Sequence, residues 1–559
     1  MTAAGRLKLT PSAAANTIPL AMEDRMEATG SGRTCGSTPL VSLPLGWSDR
    51  QRRRWAVWLL LLTTLLYFAA VTIHWRIGED AGLYLNLGRN LARGEGYSLA
   101  GKPHAFVPPG YPAFLSALML AGAKGFLAIN LAMCLCGLAT VAFSYLMLRD
   151  VVGRDYAILL AAVTALANEM HLRSGEVLTD VPFTLLVVAA LWLYYRGLRA
   201  DRPDRRGWEV ASLLLVAGCW VRLVGFVLAF GAAAGLLLSA GREGRRRALL
   251  AAIIVLAGMA ATLAVFYSWH AAYHDPMAPT YARSLDRLAT GTSLLERMVR
   301  PIRNVYITSG QLSRLYIGQR MPLPVCVILL VAPVLVAMAV RIRRGDRLGP
   351  LVVFCYVGGL SAVTWLRTRY LLPLLPLLIL YLLEGYGWIL SRLFAKRLRG
   401  AVTALVVLMV VMVGFNLPQI ARRIYYRHRP DYPSAQQKEM WRDSLKAVDF
   451  LRGQKPIRGT LFAEQPVGYL ADVPCPKISH ILLQTAPPPE EISRLLRDWQ
   501  TRYVVIDLGD ERLPFQLALM DYMESLHAER KVFGEVRVYR VPQARDQTVG
   551  PASRPATAS

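Results

Sequence analysis

Long apolar stretches separated by short basic clusters make up most of this chain, and near residue 420 the pattern shifts to short strand-like and helix-like segments. The stretches near 54 to 75, 127 to 148, 249 to 269, 322 to 340 and 401 to 417 each have the length of one membrane-crossing helix. Three others are too long for a single crossing. The one from 208 to 240 has 33 residues, roughly 50 Å as helix against a hydrocarbon core of ~30 Å, so the chain must turn, and Arg222 marks the turn. The same argument divides 155 to 195 at "EMHLRSGEVLTD" and 349 to 390 at "LRTRY". The pattern predicts an all-α polytopic membrane protein of about eleven transmembrane helices.

Between the first two crossings, Ala81 to Arg93 sets Leu83, Tyr84, Leu87 and Leu91 at helical spacing with Asn86, Arg89, Asn90 and Arg93 opposite. That is the pattern of a helix lying in the membrane interface. Pro108 and Pro109 then open "GYPAFLSALMLAGA", apolar but too short to span, which predicts a segment that dips and returns. Beyond 418, "TLFAE", "RYVVIDL" and "EVRVYRV" read as strands, and "AQQKEMWRDSLKAVDFLR", "PEEISRLLRDWQ" and "FQLALMDYMESLHAER" as amphipathic helices. The expected organisation is a disordered cytoplasmic segment at 1–50, a membrane domain at 51–418, a small α/β domain at 419–545 and a disordered tail at 546–559. The first 50 residues hold no apolar core of a signal peptide, so residues 55 to 73 are expected to act as a signal anchor.

Charge orients this picture. The chain carries 64 Lys and Arg against 38 Asp and Glu, a net +26, which in a soluble protein would suggest nucleic acid. Here the basic residues gather at the ends of apolar runs, around Arg50 to Arg54, Arg149 and Arg154, Arg196 to Arg206, Arg242 to Arg247, Arg341 to Arg347, and Arg392 to Arg399. The positive-inside rule puts all six clusters in the cytoplasm, so they imply no nucleic-acid partner. Loop 76 to 126, loop 270 to 321 and the C-terminal domain then lie outside an inner or plasma membrane. A 54% hydrophobic composition and a mean hydropathy of +0.34 agree with a membrane protein. The seven cysteines show neither a disulfide framework nor zinc spacing, and Cys134 and Cys136 read as small core residues. Nothing in the sequence indicates a required cofactor or a divalent metal.

Charged residues at the expected outer turns are the candidates for chemistry. Glu79 and Asp80 adjoin the first crossing, where Asp80 suits either a helix cap or a carboxylate held at a helix N-terminus for use as a base. Glu176 and Asp180 lie at the second outer turn, with Asp180 expected one turn into the next helix, where an unpaired charge is costly. Arg222, Arg367 and Arg369 read either as topological anchors or as contacts for an anionic headgroup. His74, His104 and His171 have no ligand spacing and read as packing residues.

"DAGLYLNLGRNLARGEGYS" after an acid, followed by "PPGYPAFLSAL", resembles the first external loop of the glycosyltransferase C (GT-C) superfamily, in the bacterial branch similar to protein O-mannosyltransferases and lipid A aminoarabinose transferases. "EVLTDVPFTLL" resembles its second acidic motif, and "RTRYLLPLLPLLIL" its late Arg-Tyr helix, so the resemblance spans roughly 54 to 390. It implies a membrane core with juxtamembrane helices in the first loop and a sugar donor on polyprenyl phosphate. Transfer, with inversion, would go to an extracytoplasmic lipid, glycan or protein. Carried onto this chain, it gives Asp80 as base, with Glu79 sharing the acidic pair and Asp180 as second acid. Arg222 and Arg369 become phosphate contacts, and Tyr370, Glu176, Tyr84 and Arg89 further substrate contacts. A polyprenyl phosphate leaves as an anion that arginines can stabilise, so this chemistry does not oblige a divalent metal. Two competing classes predict otherwise. A transporter or flippase would show paired broken helices with charges at the midplane, and a non-catalytic envelope assembly protein would tolerate substitution of Asp80 and Asp180.

Overall fold

The computed structural model describes residues 48–73, 79–105, 107–123, 125–199, 205–242, 244–273, 294–363, 367–393, 398–428, 438–463, 465–476, 486–508 and 514–542. The segments expected to be disordered, nearly all of 1–50 and all of 546–559, lie outside these residues, as does His74.

Helices stand wherever the hydropathy pattern expects a crossing. They are α1 (Asp49–Phe68), α4 (Phe126–Val152), α5 (Arg154–Ala165), α7 (Asp180–Arg199), α8 (Arg205–Val221), α9 (Gly225–Ser239), α10 (Arg245–Ala272), α12 (Leu323–Arg343), α13 (Leu348–Val363), α14 (Leu375–Leu393) and α15 (Leu398–Arg427). Among the described residues six helical segments are long and apolar enough to cross a membrane by length and composition. The chain is a multi-pass membrane protein. Where helices approach most closely a glycine removes the obstacle: a Cβ on Gly235 of α9 would stand 2.7 Å from the Leu348 Cα, and one on Gly385 of α14 would run into the Pro333 carbonyl of α12.

The remaining elements modify the expectations. The first loop holds α2 (Glu79–Ala92), a short hairpin of β1 (Ser98–Leu99) and β2 (Lys102–Pro103), and α3 (Gly110–Leu120). Rather than lying in an interface with one wet face, α2 is enclosed on nearly all sides: Ala81, Leu83, Leu85 and Leu87 are buried, and so are Asn86 and Asn90. Between α5 and α7 the chain breaks at Leu166–Ala167 and forms α6 (Asn168–Arg173) before turning. Asp180 opens α7 instead of sitting one turn inside it. The 270–321 loop contains α11 (Leu294–Ile317), a helix the crossing pattern did not anticipate. Nor does the last membrane helix stop at 418, because α15 continues through Pro418 to Arg427.

At the end of the bundle far from α2, Arg341 is buried. Its Nε and Nη2 donate to the Glu384 carboxylate at 2.6 Å each and its Nη1 to Asp346 Oδ2 at 2.6 Å. An arginine expected to mark a solvated cluster thus closes a buried ion triad between α12 and α14.

The C-terminal domain comprises α16 (Lys438–Gly453), β3 (Thr460–Phe462), α17 (Gln465–Ala471), α18 (Pro489–Asp498), β4 (Thr501–Asp507), α19 (Pro514–Ser525), β5 (Arg530–Phe533) and β6 (Val536–Arg540). Its sheet has the order β3-β4-β6-β5, with β3 parallel to β4 and the other pairs antiparallel. Because β4 is apolar on alternate sides, Val504 and Ile506 pack with α18 and α19 while Tyr503 and Val505 face the α16 and α17 core. The result is a three-layer α/β/α domain.

Candidate active site

The site begins with a short 3₁₀ segment, Thr368–Leu374, leading into α14. Pro373 and Pro376 each lack the N–H an α-helix needs, which favours the tighter, open turn that presents Arg369 and Tyr370 sideways. Two contacts hold that turn: Thr368 Oγ1 donates to Gln311 Oε1 of α11 at 2.7 Å, and Tyr356 Oη of α13 donates to the Tyr370 carbonyl at 2.8 Å.

Acids from two separate elements meet it. Asp80 stands in the first turn of α2, one residue past Glu79, so it is not the residue capping that helix. Arg369 Nη2 donates to its Oδ2 at 3.2 Å, and the Asp80 side chain stays 39% exposed. Asp180, at the start of α7, is 2% exposed and paired with Arg222 from the turn between α8 and α9. The two arginines converge on one ring, with Arg222 Cζ 5.0 Å and Arg369 Cζ 5.4 Å from the centroid of Tyr370. Tyr84 lies edge-on to Tyr111 at 5.1 Å and within electrostatic reach of Arg222. Arg369 Nε is buried and without a hydrogen-bond partner among the described residues, so this guanidinium retains donor capacity.

Asp80, Asp180, Arg222, Arg369, Tyr370 and Tyr84 therefore come together. The other candidates are engaged elsewhere. Glu79 opens α2, but its side chain lies outside the described residues. Glu176 accepts from Arg173 Nη1 at 2.6 Å, and Arg173 Nε reaches Glu169 at 3.1 Å, so this acid belongs to its own ion cluster on α6. Arg89 is turned into the C-terminal domain, where Nη1 donates to the Tyr469 carbonyl at 3.1 Å and pairs with Asp472 at 2.8 Å. Arg89 thus stands apart from the Tyr370 cluster, on the part of the polar face of α2 that meets the C-terminal domain. His104 packs edge-on to Tyr97 and His171 to Tyr67. Among the described residues no three His, Cys, Asp or Glu side chains are grouped to hold a metal. Sequence reasoning missed Tyr356 and Arg173; the spacing of Arg173 from Glu169 and Glu176, four and three residues, carried the signal.

Chemically, the arrangement separates two carboxylates by environment. Asp80 is reachable and shares its arginine with open space, whereas Asp180 is walled in and spends its charge on Arg222. The two guanidinium groups flank one ring, each balanced by a carboxylate, and their N–H forks suit phosphate oxygens.

A family model described as dolichyl-phosphate-mannose-protein mannosyltransferase matches residues 106–270. No curated protein matches the chain in sequence. Among solved structures, ArnT from Cupriavidus metallidurans in the apo state is similar at a TM-score of 0.56 and 13% identity, over 88% of this chain and 99% of that one. The same protein bound to undecaprenyl phosphate gives 0.54 and 14% over the same shares. The archaeal oligosaccharyltransferase AglB from Archaeoglobus fulgidus, in complex with an inhibitory peptide and a dolichol-phosphate, gives 0.52 and 11%, over 82% of this chain and 70% of that one.

Proposed function

We propose that this chain, whose fold is that of the GT-C glycosyltransferases, is an integral-membrane glycosyltransferase that moves a sugar from a polyprenyl-phosphate donor to an acceptor hydroxyl on a lipid, glycan or protein. The observation that carries the reading is the meeting of two acid–arginine pairs at Tyr370, one acid exposed and the other buried. A donor phosphate is drawn to Arg369 and Arg222. Asp80 takes the proton of the acceptor hydroxyl as its oxygen attacks the anomeric carbon. The bond from that carbon to the phosphate oxygen breaks as the new bond forms, the polyprenyl phosphate leaves with the electron pair, and a single displacement inverts the anomeric centre. Asp180 touches no reacting atom in this scheme; it fixes Arg222. The positive-inside pattern assigns the reaction to the extracytoplasmic face.

Mass spectrometry of envelope glycolipids and glycans from a deletion strain tests this. Wild-type complementation should restore a glycosylated product, and Asp80→Asn, expressed to the same level, should reduce it at least a hundredfold. Full product from Asp80→Asn would overturn the assignment.

A further inference from the structure

The C-terminal domain rests directly on the helix that carries Asp80. A Cβ on Gly82, two residues past Asp80, would stand 2.6 Å from the Pro466 nitrogen and 2.8 Å from the Gln465 carbonyl carbon, both backbone atoms that cannot swing aside. One turn on, Asn86 Nδ2 donates to Gln465 Oε1 at 3.0 Å and to its carbonyl at 3.3 Å. The Gln465 amide is itself locked, since Nε2 donates to the Cys475 and Pro476 carbonyls at 3.0 and 2.9 Å. Arg89 then bridges Asn86, Tyr469 and Asp472, and Arg93 reaches Asp472 at 3.1 Å. Beyond the helix, Lys102 on β2 lies 3.8 Å over the Trp499 ring.

A different face of α2 is fixed as tightly. A Cβ on Gly88 would stand 3.0 Å from Leu115 Cβ and 3.1 Å from the Pro112 carbonyl of α3. Six residues separate the two glycines, placing them about 120° apart around the helix axis. Close approach on two faces restricts rolling and sliding of α2. The carboxylate in its first turn must meet Arg369, which stands on a different element, so a small displacement of α2 is a displacement of Asp80 from the site.

We infer that the C-terminal domain is a positioning element of the active site: its Gln465–Pro466 edge, seated on Gly82 and gripping Asn86, sets where Asp80 stands relative to Arg369. The inference rests on the proposed role of Asp80 as base. Gln465, Pro466, Gly82 and Asn86 are positioning residues, acting through α2.

The test uses full-length protein in two measurements, product in the complemented deletion strain and binding of undecaprenyl phosphate to purified protein in nanodiscs. Gly82→Ala should lower product at least tenfold while the undecaprenyl phosphate affinity stays within twofold, a split that general misfolding would not give. Asn86→Ala removes the grip without a clash and should lower product severalfold, again at unchanged affinity. If Gly82→Ala fails to accumulate, Asn86→Ala decides. Wild-type product from Asn86→Ala, in a background where Asp80→Asn is inactive, overturns the positioning role and leaves the base assignment standing. Full product from Asp80→Asn overturns both.

Discussion

Asp80 and Asp180 are the same side chain in different surroundings, and that difference assigns their work. Asp80 is partly exposed and shares one arginine contact. Asp180 is buried and balanced by Arg222, so removing it strands a guanidinium. Asp180→Ala should destabilise the protein by about 3–5 kcal/mol, read as a lower unfolding temperature in detergent, and adding Arg222→Ala should recover part of the loss. Asp80→Asn should leave that temperature nearly unchanged while abolishing product. These residues stood out in the sequence because they are charges at the turns of apolar runs, although a helix cap or a topological anchor leaves the same trace. Tyr356 did not: a phenol bonded to a backbone carbonyl leaves no trace in the pattern of the run around it.

A helix's polar face looks the same in sequence whether it meets water, headgroups or another domain, and α2 is a case of the third. Its position follows from α17, a seven-residue helix too short for periodicity to announce. The strand β5 was hidden for a related reason, since its charged residues Arg530 and Lys531 lie on an exposed edge strand. The junction between α2 and α17 has its own pH dependence. Burial works against the charge of Asp472, but Arg89, Arg93 and Lys455 more than offset it and hold its carboxyl below the usual carboxylate range. A lowered folded value means the contact contributes above the unfolded value of ~3.9 and is lost as pH falls through the folded one. Hydrogen exchange of residues 79–92, pulsed at one common pH after equilibration, should therefore show protection kept at mildly acidic pH and lost below that range. Asp472→Asn should remove this dependence.

Hydropathy located the long apolar helices, six of which among the described residues are long and apolar enough to cross a membrane, because burial in lipid demands such helices; it said little about which helices touch. Contacts come instead from small residues that the pattern treats as neutral. At Gly385 the missing side chain lets α14 lie against the α12 backbone, beside the Arg341–Glu384–Asp346 triad. Gly385→Val should force these helices apart, at a cost of about 1–3 kcal/mol, visible as a lower folded yield in fluorescence-detected size exclusion. The unbroken α15 carries a geometrical consequence. Its 30 residues make a rod of about 45 Å, so as much as ~15 Å stands clear of a ~30 Å hydrocarbon layer. Arg423 and Arg427 tie that upper length to the carbonyls of Asn168, Ala70 and Leu172. The rod is thus a mast, stayed near its top by side-chain hydrogen bonds to those carbonyls: one residue inserted below the stays would shift Arg423 and Arg427 by about 1.5 Å along the axis and turn them by about 100° around it.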